Sequence, residues 1–100
     1  MKIKVQPFLM RKGNKVASAA IEFEEGMLKG FHLVGFTICD DPQKGLLVLF
    51  PANQVKKTSG ENQTYFFLIP NDDSRITELE TAILDVYEKM TEPFNVPKGV

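Results

Sequence analysis

The stretch "KGLLVLFPANQVKKTSGENQTYFFLIP", residues 44–70, sets two dense apolar pentads, 46–50 and 65–69, each directly ahead of a proline. Proline has no N–H to give a neighbouring strand, so Pro51 and Pro70 mark where ladder bonds stop, and the pentads read as strands. Between Pro51 and the second pentad, residues 52–64 are almost all polar and include Lys56 and Lys57. Hairpin connections are usually about two to five residues long, so this segment reads as a long basic loop that needs a reason.

Upstream of that stretch the pattern is that of a meander. Ile3-Lys4-Val5-Gln6 alternates, and "RKGNK" at 11–15 supplies Gly-Asn turn chemistry before a second alternating run. That run places Ala17, Ala19, Ile21 and Phe23 on one face. Glu24-Glu25-Gly26 turns into a long third strand, "MLKGFHLVGFTIC", and "DDPQKG" turns again before residue 46. Downstream, "DDSRITELETAILDVYEKM" carries Ile76, Leu79, Ile83, Val86 and Met90 at spacings of three and four, with Tyr87 beside them. This is one apolar helical stripe. Asp72, Asp73 or Ser74 can cap its N-terminus, and Pro93 marks a stop. The fold class is therefore α+β: an antiparallel meander of four to five strands with a C-terminal helix on one face. One domain is expected over 1–92, followed by a short tail over 93–100.

The strands hold more apolar surface than one helix covers. Strict alternation in the third strand sends Phe31 and Leu33 one way, and Val34, Phe36 and Ile38 the other. A single helix of about five turns covers one face of such a sheet. A second copy of the chain is the simplest cover for the other face, because obligate interfaces resemble a domain core cut in half. Phe36 and Ile38 are the residues expected at that homodimer interface.

Composition narrows the function classes. The chain has 100 residues, 43% of them hydrophobic, and enough length to bury a core of its own. Gln6, Pro7, Arg11 and Lys12 interrupt any apolar leader, and no stretch approaches the roughly 18 apolar residues of a membrane span. A cytoplasmic protein without a membrane partner is expected. Cys39 is the only cysteine, and in an apolar run it reads as a small buried hydrophobe. The net charge of -1 hides an asymmetry: residues 1–57 carry nine basic and five acidic side chains, and residues 58–100 carry three basic and eight acidic ones. Such a division can mark an anionic partner for the first half, although scattered solvated lysines are the commoner case.

Catalysis finds no support in the residues. His32 is the only histidine and sits within an apolar strand, where a satisfied or edge-exposed imidazole is the commoner occurrence. Asp40-Asp41 and Asp72-Asp73 fall where a turn and a helix cap want aspartate, and neither pair has a histidine or cysteine at metal-ligand spacing. Gly26-x-x-x-Gly30 is not followed by the Gly-Lys-Ser/Thr of a phosphate loop. No catalytic residue, metal, cofactor or small-molecule substrate is expected. Two classes stay open: a nucleic-acid-binding regulator, and a protein-interaction or scaffold module using apolar surface and an acidic outer helix face of Glu78, Glu80, Asp85 and Glu88.

Gly45-Leu46-Leu47-Val48-Leu49-Phe50-Pro51 resembles the Gly-Leu-Phe-Val-x-Met-Pro signature of the stage V sporulation protein G family. The resemblance extends to the Met1-Lys2 start, the acidic turn before strand three, and Glu78, Ala82, Val86 and Tyr87 in the helix, covering about residues 1–91. Where that family has Ser-Lys-Arg after the proline, this chain has Ala52-Asn53-Gln54 and carries its paired lysines at 56 and 57. Where the family has Arg-Asp-Ile-Ala-His-Pro, this chain has "YFFLIP" at 65–70. The resemblance implies a small bacterial regulator linked to septation and sporulation, which dimerises and binds DNA or RNA. Lys56 and Lys57, with Arg11, Lys12 and Lys15 from the first turn, are the expected phosphate contacts, doubled by dimer symmetry.

Overall fold

The structure is a computed structural model, and it describes residues 1–91. The tail expected over 93–100, and the stop at Pro93, lie outside the described residues. Six strands precede one helix: β1 (Lys2–Lys12), β2 (Lys15–Glu22), β3 (His32–Asp41), β4 (Gly45–Leu49), β5 (Ala52–Lys56), β6 (Asn62–Phe66) and α1 (Asp73–Thr91). The first four form an antiparallel sheet in the order β1-β2-β3-β4, and β5 and β6 form a separate two-stranded sheet. The α+β class and the helix-backed meander are as the sequence predicts.

Each of the first turns follows from local chemistry. Gly13 takes φ 60° and closes β1 onto β2 through the two-residue link Gly13-Asn14. Proline in a sheet belongs on an edge, and Pro7 lies on edge strand β1, where it faces Ala17. Beyond it the register slips: Lys12 faces Lys15, so residues 8–11 arch outward against Val16 alone, and Leu9 and Met10 are exposed. The third strand begins at His32 and not at Met27. Residues 27–30 turn instead, with the Lys29 N–H donating to the Gly26 carbonyl (3.2 Å) and the Phe31 N–H to that of Leu28 (2.9 Å).

The core is Val5 from β1, Ala17, Ala19 and Ile21 from β2, Phe36 and Ile38 from β3, Val48 from β4 and Ile83 from the helix. Phe36 and Ile38 are 0% exposed in the single chain, so the expectation that they form an interface between copies is corrected. The cause is a β-bulge. Ala19 faces Phe36 but Ile21 faces Leu33, so Ala20 opposes both Val34 and Gly35. Gly35 adopts φ 103°, open to glycine, and a Cβ there would lie 3.0 Å from the Cβ of Pro51. The extra residue reverses the alternation and brings Leu33, Phe36 and Ile38 onto one face, towards the helix. The opposite face keeps exposed apolar groups, but they are Val34 (65%) and Leu49 (47%).

Asp72 is the helix cap. Its Oδ1 accepts the Ser74 N–H at 3.0 Å and also the Ser74 hydroxyl. The Ser74 hydroxyl is the first cause holding this carboxyl below the usual carboxylate range. Leu79, Ile83, Val86 and Tyr87 pack on the sheet as the stripe predicts, and Ile76 and Met90 at its two ends are exposed. Glu80, expected on the outer face, turns instead to the sheet: its Oε2 accepts the Val48 N–H at 3.0 Å. β4 is an edge strand with unpaired N–H groups on its outer side, and the carboxylate satisfies one of them.

Candidate nucleic-acid interface

Residues 52–64 are not a loop. Ala52, Asn53, Gln54, Val55 and Lys56 face Phe66, Tyr65, Thr64, Gln63 and Asn62 in an unbroken antiparallel register. Its turn is tied by the Lys57 N–H donating to the Glu61 carbonyl at 2.7 Å and the Gly60 N–H to the Lys57 carbonyl at 2.9 Å. Gly60 supplies the positive φ, 89°, that this reversal requires. At the base the Phe67 N–H donates to the Pro51 carbonyl at 3.2 Å, and Pro51 itself is buried. The second pentad is therefore not a strand. Only Tyr65 and Phe66 belong to β6, and the chain bends at Phe67 and Leu68. Nothing in the ribbon is buried: all five residues of β5, and all of β6 but Gln63, are exposed.

Directly paired residues share a face of the ribbon, and neighbours along a strand alternate. One face carries Gln54 and Thr64, then Lys56 and Asn62, with Ala52 and Phe66 at the base. The other carries Asn53 and Tyr65, then Val55 and Gln63. Lys56 and Lys57 thus stand at the tip, accompanied by Glu61.

The other expected contacts lie elsewhere. Arg11, Lys12 and Lys15 flank the β1–β2 turn, where the Asp40 N–H donates to the Asn14 carbonyl at 2.8 Å. β4 starts at that end, with Gly45 facing Asp41, whereas the ribbon follows the other end of β4, beyond Leu49. The two lysine groups are therefore not brought together within the chain. Arg11 is also engaged, its Nη2 lying 3.2 Å from Asp40 Oδ2. Lys44 joins this end from the β3–β4 turn, where Asp41 Oδ1 accepts the N–H groups of Lys44 (2.9 Å) and Gln43 (2.8 Å). These two bonds, that from Lys44 first, hold the Asp41 carboxyl below its usual range. The position of Lys44 follows from the β3–β4 register and the grouping of the ribbon's amide side chains from the β5–β6 register, and no local pattern in the residues contains either.

His32 is exposed, with Nε2 3.6 Å from Glu22 Oε1, and Cys39 is buried. Among the described residues no three His, Cys, Asp or Glu side chains gather where a metal ion would be held, and no helix is long and apolar enough to cross a membrane. Two apolar grooves of about 290 and 350 Å³ share Phe50, Leu68, Pro70 and Ile76 between the base of the ribbon and the start of the helix. Comparison of the chain with family models, with curated proteins and with solved structures finds no match.

Proposed function

We propose that this chain is a non-enzymatic, cytoplasmic regulator of bacterial type that binds nucleic acid as a homodimer, making phosphate contacts through its hairpin lysines. The observation that carries the reading is the protruding ribbon, which presents Lys56 and Lys57 at its tip with neither in an ion pair among the described residues. An exposed lysine outside any ion pair has its ammonium open to phosphates, whose neutralisation supplies most non-specific affinity. Lys12, Lys15 and Lys44 offer a second basic end, and symmetry in a dimer doubles both.

Changing Lys56 and Lys57 together to Ala should weaken binding and lower the log-log salt slope by about 0.7 to 0.9 per lost contact. The melting temperature should stay the same, because exposed lysines contribute little to stability. Electrophoretic shifts with random-sequence DNA and RNA at several salt concentrations measure this. Unchanged affinity in the double variant rejects the contact surface, and so does absence of binding by the wild type at low salt. The protein-interaction reading would then stand, supported by the paired apolar grooves beside Phe50 and Ile76.

For the homodimer, support comes from the exposed Val34 and Leu49 on the sheet face away from the helix. Leu49→Lys should leave a folded monomer of 11.3 kDa where the wild type sediments at twice that mass. A wild-type chain that stays monomeric at high concentration would exclude the dimer.

A further inference from the structure

We infer that the β5–β6 ribbon enters the major groove of duplex DNA and reads base edges with Gln54, Asn62 and Thr64. The inference rests on the nucleic-acid reading above and adds to it the class of nucleic acid, the groove and the residues that set specificity.

Shape is the first ground. The ribbon is two strands wide, about 4.8 Å between strand axes, and residues on both its faces are exposed. The major groove of B-DNA, about 12 Å wide, admits such a ribbon. Chemistry is the second. On one face Gln54 and Thr64, and then Lys56 and Asn62, form two successive cross-strand pairs. Gln and Asn can each make paired hydrogen bonds to adenine N6 and N7, and Thr offers a hydroxyl and a methyl that suits thymine. This face bears no carboxylate, and the arm's only acid, Glu61, belongs to the turn. Spacing is the third. Same-face pairs recur every two residues, about 6.8 Å along an antiparallel strand, which is twice the roughly 3.4 Å rise of a base pair. Gln54 and Asn62, in successive pairs, thus meet positions two base pairs apart, while Lys56, Lys57 and the turn hydroxyls of Thr58 and Ser59 are left for phosphates.

The register disfavours the other nucleic acids. Stacking a single strand needs aromatic rings in succession on one surface, but Tyr65 and Phe66 are neighbours in β6 and point to opposite faces. The deep, narrow major groove of duplex RNA shuts out side chains.

The test uses the full chain with a random-sequence DNA duplex, the same DNA single-stranded, and an RNA duplex of that sequence. Selection from a randomised DNA pool then identifies the preferred site, and N7-methylguanine interference reports the groove. Duplex DNA should bind most tightly, and methylation within the selected site should block binding. Gln54→Ala and Asn62→Ala should each lower the preference for the selected over the random duplex by roughly 5- to 100-fold. Lys57→Ala should weaken both duplexes equally. Binding whose preference is unchanged in the Gln54 and Asn62 variants overturns the ribbon assignment and leaves the nucleic-acid reading standing. Tighter binding of single-stranded DNA or duplex RNA does the same. No binding of any of the three at low salt overturns both.

Discussion

Phe36→Asp should leave the chain without a cooperative unfolding transition at 25 °C. Phe36 is 0% exposed and meets the Phe50 ring edge-on, with centroids 5.3 Å apart and planes at 70°. Truncating a buried phenylalanine costs about 3 to 5 kcal/mol. The new carboxylate adds a penalty of several kcal/mol, whether it stays charged or is forced to take up a proton. No buried polar or charged side chain is present among the described residues to receive it. Together these approach the roughly 5 to 15 kcal/mol that holds a small domain folded. Circular dichroism during urea titration checks the result. A variant that keeps a wild-type transition but loses self-association would return Phe36 to an interface, contrary to its burial.

Ile83→Ala should destabilise the fold by about 3 to 5 kcal/mol, the upper part of the range for such truncations. Ile83 is fully buried, and Ala17 and Ala19 of the same cluster are too small to move into the vacated space. A cavity that cannot collapse forfeits contacts as well as transfer free energy. Ile76→Ala, at the exposed end of the same stripe, should cost below about 1 kcal/mol. Urea midpoints with unchanged slopes measure both differences. Equal losses at the two positions would mean that the helix lies on the sheet along its whole length, with Ile76 covered.

The helix, its cap and the first hairpin were legible in the residues because each carries its own local signal. The stripe at 76, 79, 83 and 86 has helical spacing, Asp72 and its neighbours have capping chemistry, and Gly13-Asn14 supplies a hairpin turn; all three appear where local physics puts them. The apolar alternation of Ala17, Ala19 and Ile21 likewise lies in the core as read. The proposed lysine contacts could be named from charge and position, but whether Lys56 and Arg11 share a surface depends on where β4 begins and ends, and no local pattern contains that.

What only the tertiary structure decided has one common cause: pairing between strands is a relation between distant residues. Alternation assigns Phe36 to the wrong face because the bulge at Val34 and Gly35 exists only opposite Ala20, fourteen positions away. Residues 52–56 and 62–64 look like loop because each segment alone is polar, and their strand conformation comes from the ladder that β5 and β6 make with each other. Glu80 has the local pattern of a solvated helix residue, yet it faces the sheet because the N–H of Val48, thirty-two positions away, needs an acceptor there. The chain's sequence by itself determined the helix, the positions of β1, β2 and β4 and the turn that joins β1 to β2. The faces they present, and the joining of two polar segments into an exposed ribbon, were decided by cross-strand hydrogen bonds and by the burial that those bonds permit.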